Sequence, residues 1–349
     1  MNIVNIVLGD ATGGRWKVVL DYTRVLSKLG HQVTLVVHKN QVNKLDRASI
    51  DAHQICLLKN SGHYDPFATI KAKGILKKAD ADIVVAHCSR SIAVMKRATR
   101  NRIPVVCVMH SLNPKRCVNA DAFINITRFI GERLKSMGAA SKPHYQIPNM
   151  MTNINPQLPV VKPRSAPVAL GAIGRFVSYK GFDLFLDALK ILITKGVNFT
   201  AYLAGDGDER DILLEHIRSK DLTNTVQYLG WLPNSDELFK KIDILCVPSR
   251  HEPFGLILLE AFNAGIPVVA ANAEGPSEIC TDQVNALIAN IDDASSLAIK
   301  LEEAINNQNL CHSMRQNGFN QLQEKYSEAV VSAQLVQALK TICAEFKKQ

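Results

Sequence analysis

The chain has 349 residues, of which 47% are hydrophobic and 6% aromatic, and it carries a formal net charge of +9. This length and composition predict a globular protein of two domains and exclude a disordered, collagen-like or low-complexity chain. The longest apolar runs have the length of strands, and the N-terminus MNIVNIVLGD lacks the basic region and cleavage site of a signal peptide, so we expect no transmembrane helix and no leader.

The first half of the chain alternates short apolar runs with amphipathic stretches. The run Ile3–Leu8 predicts a buried strand, and the helix that follows it is expected to end at Leu29, before Gly30. Later apolar runs predict further strands at Gln32–Val37, Asp82–Ala86, Pro104–Met109 and Ala122–Asn125. Strands that alternate with helices indicate a parallel sheet covered on both faces.

A proline-rich segment, residues 149–167, is typical of a linker, and the alternation restarts after it. The second series of predicted strands is Val168–Ile173, Phe199–Ala204, Thr225–Leu229, Ile244–Pro248 and Val268–Ala270. The chain therefore predicts two doubly wound α/β domains, 1–160 and 161–327, and a final helix within 328–349. The sequence leaves the packing partner of that helix open, with the first domain among the alternatives. In sheets of this kind, ligands bind at the carboxyl ends of the strands.

The charge distribution and the cysteines indicate which partners and which redox compartment the protein has. Residues 1–150 hold 23 Lys+Arg and 9 Asp+Glu, a net charge of +14, whereas the rest of the chain has a net charge of −5. A basic half suits nucleic acid, an anionic membrane or a phosphorylated substrate, and a solvated surface is the alternative. The eight cysteines form no CxxC pair, which favours reduced thiols in a cytoplasm over a disulfide framework or a zinc site.

A lone carboxylate marks the stretch RHEPFGLILLEAFNAGIPVVAAN. Glu260 is the one charged residue between Pro253 and Ala273, and Glu252 lies eight positions before it. Pro253 suits the first turn of a helix that ends at Gly265, which predicts Glu252 at the helix start and Glu260 two turns later. A buried carboxylate needs a partner. Solvent, a distant cation or the vicinal diol of a ribose are the alternatives for Glu260.

Three glycine-containing turns follow predicted strands. AIGRFVSYKG places Arg175 and Lys180 where two cations can clamp a diphosphate, although such residues are often merely solvated. GDATGG, which ends at Gly14, offers backbone N–H groups at a helix N-terminus, but it is neither a Walker A loop nor a GxGxxG motif. AGDGDE at 204–209 is a plain turn or part of the same site.

Several of these motifs occur together in one family. GRFVSYKG (174–181), LAGDGDE (203–209), the block VPSRHEPFGLILLEAFNAGIPVVA (247–270) and EGPSEI (274–279) resemble the second domain of GT-B fold retaining glycosyltransferases of family four, the glycosyl transferases group 1. The first half contributes its GG loop, LSKLGHQVTLVV (26–37), the His110 position and IPN (147–149). The resemblance implies two Rossmann-like parallel-sheet domains that face each other across a cleft.

The resemblance also implies roles for residues of the second domain. Glu260 is expected to hold the ribose hydroxyls of a nucleotide-sugar donor, and Glu252 to face the donor sugar. Arg175 and Lys180 would neutralise the leaving diphosphate, to which the backbone at Phe254–Gly255 would donate N–H groups. In the first domain, Gly14 would line the diphosphate side and His110 would lie near the transferred sugar; on its own, a histidine at a strand end is more commonly structural.

The expected chemistry needs no metal and no protein nucleophile. Fixed cations and helix N–H groups stabilise the negative charge that develops on the diphosphate, and Asp206 and Asp208 in GDGD are interpreted as a turn. Retention in this family is described as front-face attack, in which the departing phosphate takes the acceptor proton. EGPSEI departs from the family pattern, because Glu274–Gly275 replaces its usual double glycine. That difference leaves the sugar open.

The sequence thus predicts a cytoplasmic, retaining, metal-independent hexosyltransferase, with UDP as the default donor nucleotide. The acceptor is expected to be a glycan or lipid-linked glycan, anionic in character, from cell-surface glycan assembly such as lipopolysaccharide core. Segments 71–78 and 90–102 would supply the cations, either for such an acceptor or for peripheral contact with an anionic membrane. The alternatives are another enzyme on this scaffold, such as a nucleotide-sugar epimerase or a phosphorylase, and a non-enzymatic basic binding protein. Nucleic acid is not expected, because aromatic and basic residues do not interleave.

Overall fold

A computed structural model of the chain describes residues 1–9, 13–44, 50–160, 164 and 166–348. These residues form two compact units. The first comprises Met1–Thr152 together with Tyr326–Gln349, and the second comprises Asn153–Lys325. None of the helices in this described part is both long and apolar enough to cross a membrane.

The first unit is built on a seven-stranded parallel sheet. Its strands are β1 (Asn2–Val7), β2 (Gln32–His38), β3 (Gln54–Leu58), β4 (Ile83–Ala86), β5 (Val105–Met109), β6 (Ala122–Asn125) and β7 (His144–Gln146), in the order β3-β2-β1-β4-β5-β6-β7. The connecting helices are α1 (Gly14–Lys28), α2 (Pro66–Lys78), α3 (Ser89–Thr99) and α4 (Arg128–Leu134), with a short 3₁₀ segment at Lys39–Lys44 and a kinked turn at Lys135–Ala139.

The second unit repeats this plan with six parallel strands. They are β8 (Val168–Arg175), β9 (Phe199–Asp206), β10 (Val226–Gly230), β11 (Ile244–Val247), β12 (Val268–Ala271) and β13 (Leu287–Ala289), in the order β10-β9-β8-β11-β12-β13. The helices are α5 (Phe182–Thr194), α6 (Arg210–Ser219), α7 (Asp236–Phe239), α8 (Leu256–Ala264), α9 (Pro276–Ile279), α10 (Ala294–Asn306) and α11 (Gln308–Tyr326), with a 3₁₀ turn at Ser178–Lys180. The predicted fold class, two doubly wound parallel sheets, is confirmed.

Both sheets reverse their strand order at an internal position. The break lies between β1 and β4 in the first unit and between β8 and β11 in the second. Loops that leave the carboxyl ends of two such strands turn in opposite directions and leave a crevice between them, which is where open α/β sheets bind ligands. The loops after β1 and β4, and those after β8 and β11, are therefore the first places to look for function.

The last helix, α12 (Glu328–Phe346), belongs to the first unit. The carboxylate of Glu328 accepts hydrogen bonds from Arg24, at 2.6 Å, and from Lys28, at 3.0 Å, both on α1. The backbone N–H of Met151 donates to the carbonyl of Tyr326 at 2.7 Å, just before this helix begins. The chain therefore leaves and re-enters the first unit at neighbouring points.

The predicted linker lies partly outside the described residues, at 161–163 and 165. Its residues 149–152 belong to the first unit, and its described residues from Asn153 onward belong to the second. Asn155 donates from its backbone N–H to the side-chain oxygen of Asn263, and from its side chain to the carbonyl of Asn263, both at 2.8 Å. Arg315 of α11 donates to the carbonyl of Pro159 at 3.0 Å. These bonds fix residues 155–159 within the second unit.

Candidate functional site

The loops after β8 and β11 are bound to each other at the strand-order break of the second sheet. The backbone N–H groups of Arg250 and His251 both donate to the carbonyl of Tyr179, at 2.9 and 3.1 Å. The Arg250 guanidinium donates two hydrogen bonds to Asp183 on α5, at 2.8 and 2.7 Å, and one to Asp292 at 2.6 Å. Burial alone would raise the pKa of Asp183, but the bonds and charge of Arg250 hold it below its ordinary value. This network fixes the two loops in one geometry.

Lys180 of the loop after β8 and Glu252 of the loop after β11 form an ion pair. The ammonium of Lys180 donates to the carboxylate of Glu252, whose side chain is only 10% exposed. The backbone N–H of Glu252 donates to Glu274 at 3.1 Å, and His251 contacts the same carboxylate at 2.8 Å. Burial alone would raise the pKa of Glu274, but these hydrogen bonds hold it below its ordinary value. The structure therefore brings a cation and two acidic side chains together at the crevice.

The helix with Glu260 begins later than the sequence predicts. α8 starts at Leu256 rather than at Pro253, because Gly255 has a φ of 97°, in the left-handed region, and interrupts the helical path. Glu252 therefore lies in the preceding loop and not in the first turn. Gly275 fits against this loop because it lacks a side chain: a Cβ there would lie 2.2 Å from the carbonyl oxygen of Phe254.

Glu260 is half-buried rather than sequestered. Its carboxylate accepts a hydrogen bond from the hydroxyl of Ser235, just before α7, at 2.8 Å. Although α8 is apolar almost throughout, it buries one face and leaves Glu260 on a half-exposed stripe; the buried residues are Leu258, Leu259, Ala261 and Phe262. The carboxylate is therefore not sequestered as its apolar sequence neighbours suggest, because apolar side chains also line the half-exposed stripe of this helix.

Arg175 and the GDGD turn lie at the carboxyl ends of β8 and β9. Arg175 is exposed and stands opposite Asp206 in the strand register. The backbone N–H of Phe176 donates to the carbonyl of Asp206 at 2.9 Å. A Cβ on Gly205 would lie 1.9 Å from the carbonyl oxygen of Gly174, so glycine is required there. The GDGD turn thus supports the loop that carries Arg175 and Lys180.

In the first unit, three polar side chains form a hydrogen-bonded chain at the sheet's break. Asn5 of β1 donates from its amide to the carbonyl of Val19 at 3.0 Å, so its oxygen faces His87, 2.7 Å from Nε2. His87 must therefore donate from Nε2, which leaves its Nδ1, in the neutral ring, to accept from Nε2 of His110 at 2.9 Å. The second nitrogen of His110, Nδ1, then carries a lone pair.

Burial and a neighbouring cation keep both rings neutral. Burial, together with the charge of Arg15 on α1, lowers the pKa of His110 to about 3, and burial and the charges of His110 and Arg15 also hold the pKa of His87 well below its ordinary value. His110 was predicted from the sequence as a site residue, whereas His87 and Arg15 were not. A signal for His87 was present, because it directly follows a predicted strand, as His110 does.

Gly14 opens α1, and Gly13 before it has a φ of 57°. The remaining middle of the predicted GDATGG loop, residues 10–12, lies outside the described residues. Among the side chains that the structure describes, no group of three or more His, Cys, Asp or Glu is arranged to hold a metal ion.

Two protein-family models match the chain. The model described as glycosyl transferases group 1 matches residues 160–321, and the model described as glycosyltransferase family 4 matches residues 12–151. Together they match most of the chain, and each match falls largely within one of the two units.

Curated relatives carry glycosyltransferase names. The lipopolysaccharide core biosynthesis glycosyltransferases LpsE and LpsD of Rhizobium meliloti (strain 1021) are 30% identical over 223 residues and 28% identical over 219 residues. These alignments cover 62% and 61% of this chain and 64% and 62% of the two relatives, which is less than two thirds of their length.

Solved structures of similar fold cover nearly the whole chain. HepE of Anabaena, in complex with UDP, has a TM-score of 0.81 at 20% identity and covers 98% of this chain and 100% of its own. The apo form of the lipopolysaccharide outer core galactosyltransferase WaaB has a TM-score of 0.76 at 17% identity, covering 97% and 98%. At these identities the similarity concerns the fold.

Proposed function

Because the chain belongs to the glycosyl transferases group 1, with the GT-B fold, we propose that it transfers a hexosyl group from a nucleoside diphosphate, with UDP as the first candidate, to a glycan or lipid-linked acceptor. The reaction breaks the bond between the anomeric carbon and the diphosphate and retains the anomeric configuration.

The observation that carries this proposal is the pairing of Lys180 with Glu252 at the strand-order break of the second sheet. A crevice of this kind is where a nucleotide is expected, and a diphosphate needs a fixed cation close to its leaving oxygen. We assign that role to Lys180, assisted by Arg175. Glu252, held by its backbone N–H to Glu274, faces the sugar.

Glu260 takes the ribose end of the donor in this proposal. Two vicinal hydroxyls can donate to one carboxylate, and the half-exposed position of Glu260 leaves it accessible to a ligand beside its bond from Ser235. The backbone at Phe254 and Gly255, directly before α8, would donate to the phosphates or the sugar. Gly14 is proposed to lie on the diphosphate side.

The proposed mechanism stabilises the negative charge of the leaving group and uses no protein nucleophile. Positive charge develops on the sugar and negative charge on the diphosphate, and fixed cations stabilise the second more in the transition state than in the ground state. The acceptor attacks from the face that the diphosphate leaves, and the departing phosphate takes its proton. The neutral His110 accepts a hydrogen bond from a hydroxyl of the transferred sugar through Nδ1. We propose that turnover needs no metal, and that EDTA leaves it unchanged.

The names of the relatives support an acceptor from cell-surface glycan assembly, such as lipopolysaccharide core. The net charge of +14 in residues 1–150 supports an anionic acceptor or an anionic membrane beside it. We therefore propose a cytoplasmic enzyme that acts at the inner face of a membrane.

Thermal shift with UDP, GDP, ADP and a short oligonucleotide tests the ligand class first. A nucleotide present at about a hundredfold its Kd stabilises by about 2.7 kcal/mol, or roughly 5–10 °C in Tm. We expect one nucleoside diphosphate to do so and the oligonucleotide to have no effect. Stabilisation by the oligonucleotide alone would instead favour the basic binding protein.

A product assay with candidate nucleotide sugars and glycan acceptors tests the reaction. Glu260→Ala should weaken donor binding by about tenfold to a hundredfold, because it removes a hydrogen-bonded charge. Its control is Glu215→Ala, which removes a carboxylate that is 66% exposed on α6. Equal kcat/KM for both variants would reject the assignment of Glu260.

A further inference from the structure

Three large apolar side chains lie exposed within seven residues of the first unit. Tyr64 is 88% exposed, Phe67 77% and Ile70 65%. Single exposed apolar residues are common on protein surfaces, whereas several large ones close together in the chain are a feature of interaction sites. We call these three residues, together with the outward stripe of α2, the α2 surface.

The outward direction of these side chains follows from how α2 is anchored. Asp65 caps the helix by accepting from the backbone N–H of Ala68 at 2.9 Å, and Pro66 occupies the first turn. The helix turns its other face inward and buries Ala68, Thr69, Ala72 and Leu76. The remaining stripe faces solvent with helical spacing, and its exposed members are Pro66, Phe67, Ile70, Lys71, Gly74, Lys77 and Lys78.

Tyr64 is held in its exposed position by α3. The Arg97 guanidinium lies 5.4 Å from the centre of the Tyr64 ring and also donates to the carbonyl of His63. His63 contacts the hydroxyl of Ser89, at the start of α3, at 3.0 Å. The apolar residues therefore project from a braced loop and a capped helix.

Positive charge surrounds this apolar group. Burial and then the charges of Arg116, Arg90 and Arg97 lower the pKa of His63, so three guanidinium groups act on the position beside Tyr64. Lys71, Lys77 and Lys78 continue the charge along the helix. Apolar tips ringed by cations match the interface of an anionic bilayer, where aromatic and aliphatic groups enter below the headgroups and lysines and arginines pair with phosphates.

We propose that the α2 surface docks this protein on an anionic membrane, with Tyr64, Phe67 and Ile70 entering the headgroup region. Nucleic acid fits less well, since Ile70 offers no stacking surface. This docking proposal rests on the proposed function, because an enzyme with a lipid-linked acceptor must reach that acceptor at a membrane. The docking itself is measurable without any turnover.

Co-sedimentation of the full chain with vesicles tests the proposal. We expect binding to phosphatidylcholine vesicles that contain phosphatidylglycerol, weaker binding at high salt, and little binding to phosphatidylcholine alone. The double substitution Phe67→Ser/Ile70→Ser should lower the partition coefficient by about tenfold or more. The matched control, Ile212→Ser/Ile299→Ser, removes two side chains of the second unit that are 64% and 56% exposed, and should leave binding unchanged.

Two results would overturn the docking surface. One is a lack of wild-type binding to anionic vesicles at low salt. That result is expected if the α2 surface binds another protein rather than a membrane. The other is that both double variants lose vesicle binding to the same extent, or that neither of them loses it. The thermal shift of the Phe67→Ser/Ile70→Ser variant with UDP separates the two proposals. If the UDP-induced shift is retained and the wild type does not bind vesicles, the docking proposal is rejected and the glycosyltransferase proposal is not. If vesicles are bound and no nucleotide shifts Tm, the glycosyltransferase proposal is rejected and the docking proposal is not.

Discussion

Replacing Lys180 by methionine removes the cation from the centre of the candidate site and leaves the carboxylate of Glu252 without its ammonium partner. Breaking a buried ion pair costs about 3–5 kcal/mol. The two side chains are 23% and 10% exposed, so solvent screens part of this loss. We expect Lys180→Met to lower the free energy of unfolding by about 2 kcal/mol, and Tm by roughly 4–8 °C.

The double variant Lys180→Met/Glu252→Gln separates stability from function. Because the neutral amide no longer needs a cation, the double variant should recover most of the lost stability. It should not recover turnover, since the diphosphate still lacks its cation. Denaturant unfolding measures the first quantity, and kcat/KM with the cognate donor measures the second.

The exposed pair of Lys195 and Glu302, at 2.7 Å with side chains 43% and 31% exposed, is the control. Lys195→Met should cost less than about 1 kcal/mol and leave turnover unchanged. Equal stabilities of Lys180→Met and the double variant would refute the ion pair. Wild-type turnover in the double variant would refute the catalytic role of Lys180.

Three further outcomes follow from the described geometry. Burial raises the pKa of Asp21 from 3.8 to about 6. Its ionisation therefore costs stability increasingly between these two pH values and in full above the second, so Asp21→Asn should be more stable than the wild type by about 2 kcal/mol at pH 8 in denaturant unfolding, with the difference gone below about pH 4. Long-range ¹H–¹⁵N NMR spectra should show the proton of His110 on Nε2 and no titration of this ring down to about pH 5; a transition near about 6.5 would contradict the chain of hydrogen bonds. Gly205→Ala should lower the free energy of unfolding by more than about 3 kcal/mol. The control, Gly196→Ala, should lower it by only about 1 kcal/mol, because Gly196 has a φ of 76° but no atom lies within 4 Å of the added Cβ. Similar losses in the two variants would reject the close packing of the GDGD turn.

Much of the fold was predictable from hydrophobic runs. The central strands β1, β4, β5, β8 and β11 are buried on both faces and read as short apolar segments, so their predicted ends differ from the observed ones by no more than two residues. The strands β3, β7 and β13 were missed. Each lies at the edge of its sheet, and β3 and β7 are partly exposed, which weakens the apolar signal that marks a strand.

The candidate site was predictable in its residues more than in its geometry. The spacing of Glu252 and Glu260 located both carboxylates, but the residue pattern did not reveal that Gly255 delays the helix. The pairing of Lys180 with Glu252 joins positions 72 residues apart, and the bond between His87 and His110 joins two different strand ends. Such contacts depend on strand order, which local periodicity does not encode.

A crystal structure of this protein with bound UDP would show whether Lys180 and Glu260 hold the donor. We predict that the ribose hydroxyls lie within hydrogen-bonding distance of Glu260 and the diphosphate beside Lys180, at the carboxyl edge of the second sheet. A bound UDP that contacts neither side chain would contradict the account.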